Sequence, residues 1–522
     1  MKDWERWKKF ADKYLYGILT VLLFLLFLVT RLWRVTTIPS GLHVDEAGMA
    51  YDAWCLANYG VDRYLKSWPV YLINFGGGQS AMYCYLCAGL FKLFGYHVLL
   101  IRLPGIFFSF LTFLFGMLLV RKLYPQNKYL SLIAGGLITI CPYFIMAGRI
   151  GLDCNLMLGM STVFLYCFIC AVENGKYHWY AIAGLTGGLV LYTYAISYLA
   201  LPLFLLLNLG YLLWVKRFSF TRWLVMAVPM GGLAFPLLLE QYINAFDLEE
   251  IRLGIFTVTK MATYRASEIE GFHRAYFKQA LYSIFSSDPL RYNSIPNFRV
   301  LYYLTPSMVI LGLVYLLMFF WKTIKKREYS PLIYPFFWFV VLLAIESCLI
   351  SNCNKINGIF FSVIFLAVSG VQFILRWGKR YAKVILLCCF ILYGIEFARF
   401  GTYYYLGSYT ADNYPLNYFD IIVPEAVEFL EENPQYQNKG TYLAESPVYL
   451  ALSLRESPYD MRLDEGGDVF FAYYHCNTSF VAIDQDYNYI VRDIYVDYAT
   501  QLRIMGYTEI PYAGYSLFYQ EK

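Results

Sequence analysis

Residues Tyr177–Val215 read YHWYAIAGLTGGLVLYTYAISYLALPLFLLLNLGYLLWV, a run with no lysine, arginine, aspartate or glutamate. A membrane-crossing helix needs about 20 apolar residues, so this run is long enough for two, with the turn near Tyr192–Tyr198. Uncharged runs recur on both sides of it. They are Tyr14–Thr30, Leu103–Val120, Tyr129–Gly148, Cys154–Val172, Trp223–Leu239, Val300–Trp321, Tyr329–Ile345 and Ile356–Leu375, with a last apolar stretch around Lys383–Ala398. Counting the long run twice, the reading predicts an α-helical polytopic membrane protein of about eleven transmembrane helices. Composition agrees. Only 15% of the 522 residues are charged and 59% are hydrophobic, whereas a soluble domain carries about 25% charged residues. Disorder, coiled coil and collagen are excluded on the same grounds. The net charge of +5 is small and segregated along the chain, so nothing supports a nucleic-acid partner.

Lysine and arginine set the expected orientation. Lys2, Arg6, Lys8, Lys9 and Lys13 precede the first run, and alternate connections hold Arg121, Lys122 and Lys128; Lys176; Lys216, Arg217 and Arg222; Lys322, Lys325, Lys326 and Arg327; and Arg376, Lys379, Arg380 and Lys383. The short connections between them, Arg149–Asp153 and Glu346–Lys355, hold one basic residue each. This pattern places the N-terminus in the cytoplasm and the tail outside the plasma membrane. Arg31-Leu-Trp-Arg34 follows the first run without a small-residue cleavage site, so that run is read as a retained span. The twelve cysteines read as apolar packing residues rather than as a disulfide framework.

Three connections on the expected outer side carry polar clusters. The long one, 31–102, contains Ile38-Pro-Ser-Gly-Leu-His-Val-Asp-Glu-Ala-Gly-Met-Ala-Tyr51. There Val44, Ala47, Tyr51, Trp54 and Cys55 fall at helical spacing and Gly60 ends the pattern, which predicts an amphipathic helix on the outer membrane surface. Asp45 and Glu46 occupy its first turn, where the helix dipole favours carboxylates. A second surface helix is predicted over Gln79–Phe94. The other two connections bring Arg149 and Asp153, then Lys355 and Asn357, to helix mouths. Taken singly, an arginine at a helix mouth snorkels to headgroups, and an acid in a first turn is only a favourable end charge. Gathered on one side, paired carboxylates and several cations suit chemistry on a lipid-linked phosphate. A transporter or flippase would place ionisable groups within the spans, and a non-catalytic assembly subunit would tolerate the loss of every one of these polar residues. Both remain as alternatives.

Gly41-Leu-His-Val-Asp-Glu46, Gly-Gly-Gly-Gln-Ser80, Ile101-Arg-Leu-Pro104 and Gly148-Arg-Ile-Gly-Leu-Asp-Cys-Asn155 together resemble family 39-type membrane glycosyltransferases of the GT-C fold. That superfamily includes the protein O-mannosyltransferases and the lipid A aminoarabinose transferases. Asn354-Lys-Ile-Asn357 is similar to a late polar motif of bacterial members, and the resemblance covers roughly residues 14–400. It implies transfer of a sugar from a polyprenyl-phosphate donor to an acceptor hydroxyl on a glycan, lipid or protein, at the outer side of the membrane. It also implies that Asp45 is the base with Glu46 its companion, that Asp153 is the acid of the second outer connection, and that Arg102 is the basic residue entering the second span. His43 adjoins the acidic pair. Arg149, Lys355 and Asn357 could hold the departing phosphate, and oxygen ligands from Asp45, Glu46 and Asp153 would suit Mg or Mn. The chain departs from aminoarabinose transferases at Gly48 and Met49, where those enzymes carry a basic residue. It departs again at Asn74-Phe-Gly-Gly-Gly78 in place of Glu-Lys-Pro, which argues against lipid A as the acceptor.

The expected organisation is a catalytic membrane domain, 1–400, followed by a small extracytoplasmic α/β domain, 401–522. In the latter, Pro424-Glu-Ala-Val-Glu-Phe-Leu reads as a helix, Gly440–Ala444 and Ser479–Ile483 as strands, Val496–Met505 as a helix and Tyr512–Tyr519 as a strand.

Overall fold

The computed structural model describes residues 2–522 except 75–76, 263–267, 296, 407–408, 410–423, 438–439, 445–446, 456, 464–468, 472–473, 478–481, 494, 513 and 521–522. All eleven predicted runs fall on helices. These are α1 (Lys2–Leu32), then, after α2 (Val44–Tyr59) and α3 (Ala81–Phe94), α4 (Val98–Leu123), α5 (Tyr129–Ile140) with α6 (Pro142–Ala147), α7 (Cys154–Asn174), α8 (Tyr177–Leu191), α9 (Ser197–Trp214) and α10 (Phe220–Ala245). The set continues, after α11 (Arg274–Phe285), with α12 (Thr305–Lys326), α13 (Ile333–Glu346), α14 (Phe360–Trp377) and α15 (Ala382–Tyr405). Among the described residues eight helices are long and apolar enough to cross a membrane. The other three runs are shortened. Pro142, which has no N–H to continue α5, breaks that run after Ile140, and Cys141 is extended. α8 stops at Tyr192, within the turn the sequence predicts. The α13 helix ends at Ser347.

Small residues set the closest helix contacts. A Cβ at Gly312 of α12 would enter the Leu366 carbonyl of α14, and one at Gly370 would enter that of Met308. The two helices therefore meet backbone to backbone, as small residues allow inside membranes.

The α2 helix is more enclosed than its pattern suggests. His43 caps it, its Nδ1 accepting from Asp45 N–H, while Glu46 reaches back to the His43 N–H as a capping box; Gly60, at φ 72°, closes the other end. Nearly every side chain from Glu46 to Leu56 is buried, because α3 covers one face and a helix of the C-terminal region covers another. That region contains α16 (Pro424–Glu432), β1 (Gly440–Ala444), α17 (Pro447–Leu454), β2 (Met461–Leu463), β3 (Val469–Phe471), β4 (Tyr474–Asn477), β5 (Tyr487–Arg492), α18 (Val496–Ile504), β6 (Thr508–Pro511) and β7 (Tyr515–Tyr519). Its seven-stranded sheet runs β6-β7-β5-β1-β4-β3-β2, with β1 parallel to β4 and β5 and every other pair antiparallel. Most of the predicted strand Ser479–Ile483 lies outside the described residues. The α17 helix packs on α2, and the Tyr449 hydroxyl donates to Leu42 O at 3.2 Å, next to the helix cap.

Candidate active site

The first turn of α2 lies against the ends of four other segments. Glu46 is fully buried. Its Oε1 accepts from Arg102 Nε at 3.0 Å and from Gly151 N–H at 2.9 Å, and its Oε2 from Arg102 Nη2 at 3.4 Å and His43 N–H at 3.3 Å. One carboxylate thus joins α2, the start of α4 and the connection before α7. The companion expected beside Asp45 is thus a fully buried ion-pair partner of Arg102.

Arg102 and Arg149 also differ from expectation. Arg102 spends its remaining donors on carbonyls of the 31–44 segment: Nη1 on Val35 and Pro39, Nη2 on Gly41. Arg149, equally buried, donates from Nη1 to Thr30 O and Arg31 O and from Nη2 to Trp33 O and Ile38 O. Its guanidinium lies 5.6 and 5.3 Å from the rings of Tyr404 and Tyr405 at the end of α15. A third buried arginine, Arg31, serves the broken end of α5, donating to the carbonyls of Ile138 and Thr139. Arg149 and Arg31 satisfy carbonyls that the ends of α1 and α5 leave orphaned, and Arg102 satisfies carbonyls of the loop that follows α1. Both Arg102 and Arg149 are fully buried against the protein's own carbonyls, where the sequence reading expects Arg149 to face the departing phosphate.

Asn357 is enclosed in the same way. Its amide donates to the Tyr143 hydroxyl and to Asn155 Oδ1 inside a fully buried polar network. Asp153 caps α7, its Oδ1 taking the Cys154 N–H at 2.8 Å and its Oδ2 the Ser80 N–H at 2.9 Å. It thereby ties the loop before α3 to the floor of the site.

Asp45 and Lys355 remain within reach of solvent. The Asp45 side chain is 30% exposed. Its Oδ1 accepts from Asn74 Nδ2 at 2.8 Å, and Oδ2 has no hydrogen-bond donor among the described residues. His43 Nδ1 approaches Oδ2 at 3.6 Å, but that nitrogen already accepts the Asp45 N–H at 3.2 Å. A backbone N–H can only donate, so Nδ1 carries a lone pair here and the approach is not an ion pair. The His43 ring packs against Tyr292, centroids 4.4 Å apart. Burial first, then the charges of Cys154 and Asp45, raise the Tyr292 hydroxyl well above its ordinary value and keep it protonated.

Behind Asp45 stands a chain of groups the sequence reading missed. Arg63 Nη2 donates to Asp52 Oδ2 at 2.9 Å and to Asn74 Oδ1 at 3.4 Å. Its guanidinium lies over Gly48, where a Cβ would meet Nη1 at 2.7 Å. The bare backbone at Gly48 therefore makes room for a cation supplied by the following loop. Asp62 and Arg63 are adjacent charges in a charge-poor chain, and that was the signal available.

Lys355 lies on the wall of an open cleft, where its Nζ donates to Glu268 at 2.6 Å. Tyr71, Gly77, Tyr198, Glu240 and Gln241 share that wall. Tyr71 and Gly77 belong to the same loop as Asn74, so the loop faces the cleft and holds Asp45 as well. The Asp45, Glu46 and Asp153 set does not fit a metal ion. Glu46 is consumed by Arg102 and two backbone donors, and among the described residues no cluster of three histidine, cysteine, aspartate or glutamate ligands exists.

Residues 79–239 match the family model of the dolichyl-phosphate-mannose-protein mannosyltransferases. No curated protein matches the chain in sequence. Among solved structures it is similar to ArnT from Cupriavidus metallidurans bound to undecaprenyl phosphate, with a TM-score of 0.52 and 11% identity over 96% of this chain and 97% of that one. The apo state of the same enzyme matches with a TM-score of 0.51 and 13% identity, covering 98% of each chain. The fold is the GT-C fold of ArnT. Fold and family match agree with a membrane glycosyltransferase.

Proposed function

We propose that this chain transfers a sugar from a polyprenyl-phosphate donor to an acceptor hydroxyl on the extracytoplasmic side of the membrane, with inversion, and that Asp45 is the general base. The observation that carries this reading is the contrast within one cluster. Glu46, Arg102, Arg149, Asp153 and Asn357 are locked into the protein, whereas the Asp45 carboxylate keeps one oxygen toward solvent, held in place through Asn74. The similarity to ArnT, solved with undecaprenyl phosphate, supports the donor class.

In a single displacement the acceptor oxygen attacks the anomeric carbon while its proton passes to Asp45 Oδ2. The bond from that carbon to the phosphate oxygen breaks, and the phosphate leaves with the electron pair. Asp45 also places negative charge beside an oxocarbenium-like transition state, as carboxylates do in glycoside hydrolysis. The phosphate leaves as an anion and needs no protein acid; Lys355, the accessible cation of the cleft, is assigned to hold it. Acceptors of three kinds suit this chemistry: a glycan, a lipid or a protein hydroxyl.

The test is transfer by purified protein from a panel of polyprenyl-phosphate sugars, comparing wild type with Asp45→Asn. General-base assistance is worth about 10²–10⁴-fold, so turnover should fall at least a hundredfold, with binding of polyprenyl phosphate retained. Turnover near the wild-type value would reduce Asp45 to a helix-end charge.

A further inference from the structure

Glu240 and Gln241, near the Ala245 end of α10, line the cleft that holds Lys355. Glu240 is 2% exposed, and its carboxylate takes its hydrogen bonds from neutral amides of its own helix. Asn244 Nδ2 donates to Oε1 at 2.7 Å and Gln241 Nε2 to Oε2 at 2.6 Å. Burying a carboxylate against neutral donors costs stability, so its place at the end of a spanning helix asks for a use.

The bond to Gln241 fixes the orientation of that amide. A carboxylate only accepts, so the Gln241 NH2 faces Glu240 and the amide oxygen faces away. Gln241 is half-buried, and its Oε1 takes no hydrogen bond among the described residues. Tyr198, at the start of α9, lines the same cleft with a buried hydroxyl that has no partner among the described residues. This wall is tied to the base. Asn244 Nδ2 also donates to Thr259 O at 3.1 Å, Thr259 Oγ1 donates to Tyr71 O at 2.6 Å, and Asn74 of the same loop holds Asp45. The cleft that contains Lys355 therefore carries one open acceptor and one open hydroxyl.

We infer that Gln241 and Tyr198 read hydroxyl groups of the sugar carried by the donor, and that Glu240 is a positioning residue acting through Gln241. The inference rests on the reading above, in which Lys355 holds the donor phosphate, because a sugar bonded to that phosphate lies in the same cleft. An acceptor beside a phenol suits a sugar hydroxyl, which both donates and accepts. A buried polar group left unpaired is costly, so a sugar without a free hydroxyl at these positions is rejected.

Full-length protein in detergent micelles is titrated with undecaprenyl phosphate and with a panel of undecaprenyl-phosphate sugars, and Kd is measured for each. Wild type should bind the best sugar lipid more tightly than the bare lipid. Gln241→Met and Tyr198→Phe should each weaken the sugar lipid about fivefold, the worth of one hydrogen bond, and leave the bare lipid unchanged. Glu240→Ala should reproduce the loss of Gln241→Met, whereas Glu240→Gln, which keeps an acceptor for the Gln241 NH2, should retain most of the sugar advantage. Because Glu240 acts through Gln241, the double variant Glu240→Ala with Gln241→Met should bind like Gln241→Met alone. Equal binding of bare and sugar-bearing lipids by wild type would overturn the inference. So would equal weakening of both lipids in Gln241→Met and Tyr198→Phe, or additive losses in the double variant. Binding needs no turnover, so these outcomes are read separately from the effect of Asp45→Asn on transfer.

Discussion

Replacing Glu46 by glutamine separates a structural carboxylate from a catalytic one. In the wild type, four hydrogen bonds converge on Glu46: two from the Arg102 guanidinium and one each from the backbone N–H groups of Gly151 and His43. Glutamine is the same size and keeps one acceptor oxygen, but its NH2 must face either Arg102 Nη2 and the His43 N–H or, flipped, Arg102 Nε and the Gly151 N–H, donor against donor. Arg102 would stay fully buried with only carbonyl dipoles to balance its charge. Breaking one partner of a buried ion pair costs about 3–5 kcal/mol, a large share of the 5–15 kcal/mol that holds a typical domain together. The midpoint of thermal unfolding in detergent, followed by tryptophan fluorescence, should therefore fall by several degrees. Turnover per folded molecule should fall far less than in Asp45→Asn. The double variant Glu46→Leu with Arg102→Met removes both charges and should unfold above the temperature expected from adding the two single losses. If Glu46→Gln melts with the wild type and loses turnover as Asp45→Asn does, Glu46 meets the substrate and is not a structural carboxylate.

Gly48→Ala would press a methyl group against the Arg63 guanidinium, whose Nη2 is held by Asp52 and Asn74. The contact to Asn74 is the longer and should yield first, loosening Asp45, so steady-state assays should show kcat falling about tenfold, equivalent to about 1.4 kcal/mol, with KM little changed. Asp62, whose carboxyl is raised to about 7 by burial and then by the charge of Asp52, predicts a pH effect. Its folded pKa exceeds the unfolded value near 3.9, so the wild type loses stability as pH rises from about 4 to 7; the stability gained by Asp62→Asn should grow across that window, by up to about 4 kcal/mol, and level off above it, as read by unfolding midpoints at a series of pH values. For orientation, a reporter fluorescent only in the cytoplasm and fused after Lys522 should stay dark, while one inserted after Lys176 should fluoresce.

The membrane spans were readable from the chain alone because a bilayer constrains every residue of a crossing segment in the same way. Runs such as Cys154–Val172 and the double run Tyr177–Val215 announce themselves by the absence of charge, and the helices lie where those runs lie. The prominence of Asp45 and Glu46 was readable too, since an acidic pair in a first helical turn stands out in a chain this poor in charge. What each acid does was not. Neighbours in sequence, they project from α2 in different directions, and only the packing of α4 and the connection before α7 decides that Glu46 is enclosed by Arg102 while Asp45 keeps an oxygen in the open. Arg149 and Asn357 show the same limit. A helix mouth brings a polar residue to the right end of the bundle, but whether its donors meet a substrate or a neighbour's orphaned carbonyls depends on segments far away in sequence, here Thr30–Ile38 and Tyr143. Composition reports that a charge must be accommodated at the membrane boundary, and tertiary structure decides what accommodates it, because hydrogen bonds and ion pairs are made over about 3 Å between groups that the chain separates by a hundred residues.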